Sequence, residues 1–261
     1  MNSREKDDAA NPQNNSQIPE GDGGLRLQVY LSHSGVASRR AAVSLIEEGR
    51  VTVNGARITA PGEKVSHNDI VCLDGKQIFI EDQFLYLALN KPPEFICSSS
   101  DPQGRALALD LLREKWPALR LYNIGRLDFR SSGLILFTND GDFAARVGHP
   151  RAEIEKEYLI DASSIIPDKV VEDFSRGLLV EGVLYRAHFI ERIGRKSLRI
   201  VLLEGKNREI RRVFSHFHLH PTRLQRIRIG PVELGSLAEG DSRKLTETEM
   251  AKLRSIHGNR N

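Results

Sequence analysis

The sequence predicts a mixed chain of helices and strands, α+β in class, although the local patterns alone would also suit α/β. Three observations carry this. Residues 25–80 hold two short helical patterns followed by two tight hairpins. From residue 84 onward, continuous apolar runs such as Phe84–Leu89 and Leu134–Phe137 read as buried strands, and they are interleaved with helical patterns. The polar stretch Glu81-Asp82-Gln83 separates the two regions. A chain of 261 residues is long enough to give each its own core.

Residues 1–24 are rich in Asn, Gln, Asp, Ser and Gly and nearly free of apolar side chains. Such a segment cannot bury enough surface to offset its ordering entropy, and a disordered tail is expected. Leu27, Tyr30 and Leu31 then have helical spacing, with Gly35 placed to end the helix. Ser38 is suited to cap a second helix, with Ala41, Leu45 and Ile46 inward and Gly49 as its stop. Val51 to Ile58 turns at Asn54-Gly55, and Ile70 to Ile78 at Asp74-Gly75, both hairpin signals. Arg39 and Arg40 fall in the first turn of the second helix, where the helix dipole disfavours positive charge. That cost is explained if a phosphate sits there.

In the larger region, which should span residues 84–250, Asn90-Lys91-Pro92-Pro93 breaks the first strand. Residues 98–104 form a loop, and Leu107, Leu111 and Leu112 suggest a short helix. Asn139 to Asp142 starts a helix through Phe143, Ala144 and Val147, which His149-Pro150 ends. Glu155 to Ile160 is a strand, residues 161–196 carry little signal, and Leu198 to Leu203 is a buried strand. Asn207 suits an N-cap for a helix whose core face is Ile210, Val213, Phe214 and Phe217, with Arg208, Arg211 and Arg212 opposite. Residues 251–261 read as a short basic tail.

The charge is local. Residues 201–230 hold seven Lys/Arg against two Asp/Glu, a surplus of +5 in a chain whose total is +3. A phosphate-binding wall requires such a concentration. Cys72 and Cys97 make neither a disulfide framework nor a zinc pattern. The N-terminus has no apolar signal region, and no stretch is long enough to span a bilayer, so a cytoplasmic protein is expected. His216, His218 and His220 lack a nearby acidic residue to orient an imidazole, and no metal is expected.

Asp128 lies between Arg126 and Arg130. In an extended segment residues two apart share a side, so both guanidiniums would flank the carboxylate and hold it ionised. An ionised Asp serves as nucleophile, general base or structural ion-pair partner.

The stretch Gly125–Asp140, Gly-Arg-Leu-Asp, two residues, then Ser-x-Gly-Leu-Ile-Leu-Phe-Thr-Asn-Asp, resembles the central motif of pseudouridine synthases of the RsuA/RluB type. The Lys91-Pro92 turn with Gly104-Arg105, the Lys156-Glu157-Tyr158 element and Asn207–Arg212 resemble further motifs of that family. Pro93-Glu94 departs from its Lys-Pro-x-Gly turn, and Glu209 stands where it usually has Gln, as a possible competitor for Arg211. Arg39-Arg40 with Gly49 to Gly55 resembles the alpha-L RNA-binding domain, and the module is assigned residues 25–80.

The resemblance implies a catalytic domain on a mixed, largely antiparallel sheet. It implies isomerisation of a specific uridine in ribosomal RNA, of the large subunit by its closest subgroup, without a cofactor. Asp128 would be the nucleophile, with Tyr158 stacking on the base, Arg211 pairing with Asp128, and Arg126 holding the backbone or filling the vacated stack. Arg39, Arg40, Arg50, Lys91, Arg208 and Arg212 are the expected RNA contacts. The expected partner is ribosomal RNA or a subunit assembly intermediate, bound by a monomer away from any membrane. The competing class is a non-enzymatic RNA-binding assembly factor, against which Asp128, Tyr158 and Arg211 argue together. A hydrolase using Asp128 would lack a second carboxylate or His at the motif.

Overall fold

The structure is a computed structural model and describes residues 24–80, 83–116 and 120–256. The expected N-terminal tail, apart from Gly24, lies outside these residues, as do the last five. The chain divides into two compact units between Phe84 and Leu85.

The first unit runs β1 (Leu25–Arg26), α1 (Leu27–His33), α2 (Arg39–Glu47), β2 (Val51–Val53), β3 (Ala56–Ile58), β4 (Lys64–Val65), β5 (Val71–Leu73) and β6 (Lys76–Gln77). Ser38 caps α2, its Oγ accepting from the Ala41 N–H at 3.1 Å. The inward residues are Ala42 and Ile46; Ala41 is exposed, because the buried stripe starts one position later than the pattern suggested. These two pack with Leu27, Tyr30, Leu31, Val51, Val65 and Val71. Asn54 and Gly55 have φ of 51° and 81°, and Asp74 and Gly75 of 50° and 78°. Two consecutive positive φ values make both hairpin turns type I′. Short β1 pairs with β4, a contact the sequence did not disclose.

The second unit is built on a nine-stranded sheet. Its strands are β7 (Tyr86–Lys91), β8 (Tyr122–Ile124), β9 (Ser132–Thr138), β10 (Lys156–Ala162), β13 (Phe189–Gly194), β14 (Ser197–Leu202), β15 (Pro221–Ile229), β16 (Val232–Glu233) and β17 (Ser242–Lys244). A separate hairpin pairs β11 (Leu178–Val180) with β12 (Val183–Tyr185). The main path is β13-β14-β10-β15-β9-β7-β17, with β16 on β15 and β8 on β9. Every pairing in it is antiparallel except β15 with β9. The sheet is therefore mixed and largely antiparallel, and the fold is α+β.

The run Leu134–Phe137 is continuously apolar because both faces are covered. Ile135 and Phe137 join one core with Leu89, Ile160, Leu198 and Ile200. Leu134 and Leu136 join another with Ala88 and Ile229. The helices supply the cover: α3 (Asp110–Arg113), α5 (Asp168–Arg176) and α6 (Glu209–His216) on the first side, α4 (Gly141–Gly148) and α7 (Glu247–Ser255) on the second. Asp140 caps α4, its Oδ1 accepting from the Phe143 N–H at 2.9 Å.

Two expectations are corrected. The catalytic unit does not stop at residue 250, because α7 continues to Ser255 and fully buries Leu253. Asn207 does not cap α6; the N-cap is Arg208, in the left-handed region at φ 51° and without a side-chain cap. Instead the Glu209 carboxylate reaches back and accepts from the Lys206 N–H at 3.1 Å. Residues 161–196, nearly silent in sequence, hold α5, the β11–β12 hairpin and β13. Among the described residues no helix is long and apolar enough to cross a membrane.

Candidate active site

Asp128 lies on the loop between β8 and β9. That loop is pinned at several points. Leu127 buries its side chain, and its N–H donates to Cys97 Sγ at 3.4 Å. Ser131 N–H donates to the Asp128 carbonyl at 3.0 Å, closing a turn. At the start of β9, Gly133 has φ 100° and abuts the Arg226 backbone. A Cβ there would fall 2.2 Å from the Arg226 carbonyl oxygen, so only glycine allows this parallel strand contact.

The turn alters the expected electrostatics. Residues 128–131 are not extended, and the ion pair of Asp128 runs to Arg211 rather than to Arg126 or Arg130. Arg211 Nε lies 3.7 Å from Asp128 Oδ2. That is close enough for charge but too long for a hydrogen bond, and Nε has no hydrogen-bond partner. Arg211 Nη2 donates to the Arg130 carbonyl at 2.9 Å and to Ser131 Oγ at 3.2 Å. The two side chains differ in access: Arg211 is 14% exposed and Asp128 35%. Burial pulls the Arg211 guanidinium below its usual pKa, against the charge of Asp128.

Asp128, Arg211, Tyr158 and Arg126 line one cleft of about 250 Å³, together with Leu202, Leu224 and the loop Gly205–Arg208. The cleft thus gathers the predicted catalytic set. Tyr158 sits in the middle of the sheet on β10, 8% exposed, opposite Ile200 on β14 and Arg226 on β15.

The expected RNA contacts fare differently. Arg39 and Arg40 are exposed in the first turn of α2. Arg50 is exposed but already holds Asp74 through two hydrogen bonds, of 2.9 and 2.6 Å. Arg208 is exposed on the cleft wall, and Arg212 pairs with Glu181 at 2.6 Å. Lys91 must be withdrawn from the RNA surface. It is fully buried, and its Nζ donates to the carbonyls of Pro92 and Phe95 at 2.6 and 3.0 Å. Burial pushes its pKa down to about 8, opposed by nearby Cys97 and Asp128.

Glu209 does not compete for Arg211. It is 4% exposed, faces the Lys206 backbone, and burial raises its carboxyl to about 7. Arg226, absent from the predicted site, lies directly behind it: Nη1 is 3.4 Å from both the Tyr158 hydroxyl and the Arg126 carbonyl. In sequence it is one of two arginines, with Arg228, in the strand pattern Leu224 to Ile229.

A partly exposed carboxylate and a buried aromatic ring thus line one cleft, in the unit that follows a small module whose second helix opens on two arginines. The RNA pseudouridylate synthase model matches residues 85–216 and the S4 domain model residues 25–71, and the chain belongs to this synthase family with an S4 domain at its N-terminal side. A Borreliella burgdorferi protein described as an uncharacterized RNA pseudouridine synthase is 40% identical, over 88% of this chain and 93% of its own. The Bacillus subtilis ribosomal large subunit pseudouridine synthase B is 37% identical, over 89% of this chain and 98% of its own. A crystal structure of a pseudouridylate synthase superposes with a TM-score of 0.64 at 26% identity, covering 88% of this chain and all of that one.

Proposed function

We propose that the protein converts one uridine of ribosomal RNA, in the large subunit, to pseudouridine, with Asp128 as the reacting carboxylate. The observation that carries this is the cleft in which Asp128, Arg211 and Tyr158 meet. The relative from Bacillus subtilis, named for the large ribosomal subunit, supports the choice of RNA.

The geometry supports the following chemistry. Asp128 sits in a cleft rather than on an open face, which suits a uridine that has left its stack. The ring of Tyr158 gives the flipped base an apolar face, while Arg126 is exposed at the rim to hold the backbone or fill the gap. Asp128 then attacks the sugar or the base, or takes a sugar proton; all three routes need an ionised carboxylate. Arg211, fixed by the loop carbonyl and Ser131, keeps that charge paired. The base detaches from its sugar through nitrogen, turns, and rejoins through carbon; that carbon then gives up its proton to solvent and the freed nitrogen takes one up. The net change is an isomerisation with no oxidation or reduction, so the reaction calls for no cofactor.

The S4 domain would bind structured RNA through Arg39 and Arg40, with Arg50 contributing only if phosphate displaces Asp74. Arg208 and Arg212 would extend the contact beside the cleft. In this reading the protein works as a cytoplasmic monomer, without metal, on ribosomal RNA or a subunit assembly intermediate.

The test is a pseudouridine map of ribosomal RNA from cells with and without the gene. One position should lose its modification, and purified protein should restore it on a transcript. An unchanged map would overturn the proposal.

A further inference from the structure

Arg226 is 3% exposed, yet no carboxylate lies within ion-pairing distance of it among the described residues. Its Nε donates to the Leu134 carbonyl at 2.7 Å. Its Nη1 is shared between the Arg126 carbonyl and the Tyr158 hydroxyl, each at 3.4 Å. Its Nη2 is buried with no hydrogen-bond partner. The guanidinium carbon stands 6.0 Å from the centre of the Tyr158 ring.

For a purely structural residue this is poor design. A desolvated guanidinium normally has its donors satisfied or a carboxylate beside it. An apolar side chain at the same place would carry no such penalty. What the arginine does achieve is a link between two parts of the site. The Arg126 carbonyl belongs to the loop that carries Asp128 two residues later. The Tyr158 hydroxyl belongs to a ring that lines the same cleft. The arginine backbone is itself fixed, because Gly133 packs against it with no room for a side chain. Both Nη1 contacts are long for hydrogen bonds, so they have room to shorten when a base enters.

We infer that Arg226 is a positioning residue for the reaction: by holding the Tyr158 hydroxyl and the Arg126 carbonyl from one nitrogen, it sets the spacing between the ring that supports the base and the loop that presents Asp128. The inference rests on the function proposed above and adds a residue to it. Arg226 does not line the cleft, and it acts through Tyr158 and the loop.

The experiment uses the full-length protein and the transcript that the pseudouridine map identifies. Activity of the wild-type protein on that transcript is settled first, so failure of the functional reading shows itself there, before any variant is compared. Turnover, KM and RNA affinity are measured for Arg226→Gln, Arg226→Lys, Tyr158→Phe and the double variant Tyr158→Phe/Arg226→Gln. A displacement on the order of 1 Å costs about 100-fold in rate, so Arg226→Gln should lower kcat by roughly 10- to 100-fold. RNA affinity should stay within about twofold, and Arg226→Lys should recover part of the loss, since it keeps a donor. The same Gln substitution should cost much less once the Tyr158 hydroxyl is gone. A folded Arg226→Gln protein with wild-type kcat, or an equal fold loss in both backgrounds, overturns the inference. If the Arg226 variants do not fold, Tyr158→Phe decides. It removes the same hydrogen bond and keeps the ring; a lower kcat at unchanged affinity supports the inference, and an unchanged kcat overturns it.

Discussion

Arg211 meets Asp128 at 3.7 Å, from Nε to Oδ2, while its Nη2 is anchored on the Arg130 carbonyl and Ser131 Oγ. The arginine is therefore held by the same loop whose carboxylate it faces. A lysine would keep the charge but lose the fork that binds the loop through Nη2 while Nε faces the carboxylate. Arg211→Lys should lower turnover by about 100-fold, the usual penalty for a misplaced reacting group. It should also lose some stability, on the order of 1 kcal/mol, because the two loop hydrogen bonds go and water replaces them only in part. Single-turnover rates with thermal unfolding on the same preparation check this; a variant with near-normal turnover would mean that Asp128 needs no fixed partner.

Glu209 gives the protein a pH signature. Its carboxyl is raised from 4.5 to about 7, chiefly by burial. Between those values the native state keeps a proton that the unfolded chain releases. Stability therefore falls as pH rises from 4.5 toward 7, and the loss is complete above 7. Glu209→Gln can still accept from the Lys206 N–H and carries no charge to desolvate. The Gln variant should match wild type near pH 4.5 and exceed it by up to about 3 kcal/mol at pH 8. Denaturant unfolding across that range tests it, and a difference that does not vary with pH would contradict the burial argument.

The two arginines at the start of α2 make a separate claim. Ser38 already satisfies the Ala41 N–H, so Arg39 and Arg40 add charge at the positive end of the helix dipole without completing the cap. Reversing both to Glu in the full-length protein should weaken RNA binding and flatten its salt dependence, each lost phosphate contact lowering the slope by about 0.7 to 0.9. Affinity titrations at several salt concentrations measure both. An unchanged slope would remove this helix end from the RNA surface.

Local rules made part of this structure legible. Asn54-Gly55 and Asp74-Gly75 were readable because two successive positive φ values admit few residue types. Leu134–Phe137 was readable because a strand covered on both faces has no polar side. Asp128, Tyr158 and Arg211 came from the family resemblance rather than from local pattern, and one cleft is lined by all three. Lys91 misled, since its burial depends on the chain turning back to offer the Pro92 and Phe95 carbonyls. Asn207 and Glu209 misled for a similar reason: a left-handed Arg208 and a Glu209 carboxylate folded back onto Lys206 replaced the side-chain cap that Asn207 advertised. Arg226 stood in a stretch, residues 226–230, that continues the family pattern, but its place behind the site was not legible because its partners, Leu134, Arg126 and Tyr158, lie at least 68 residues away in sequence. Such pairings exist only once the sheet order is known.

The strongest expectation concerns Asp128. Replacement by Asn keeps the size and removes the charge and the nucleophile. Asp128 accepts no side-chain hydrogen bond from Arg211, only a charge contact at 3.7 Å, and its side chain is 35% exposed. Exposed charge contacts of this kind contribute about 1 kcal/mol or less, so folding should be little affected. The turn beneath it is closed by its backbone carbonyl, which the substitution leaves in place. Pseudouridine formation should therefore vanish while unfolding temperature stays within a few degrees of wild type. RNA affinity should hold or rise slightly, because a negative group beside phosphate has gone. If Asp128 served only to anchor Arg211, the opposite pattern would result: lost stability with turnover retained. Tritium release from a labelled transcript, run beside thermal unfolding on one preparation, separates the two, and a stable Asp128→Asn protein with substantial turnover would refute the assignment.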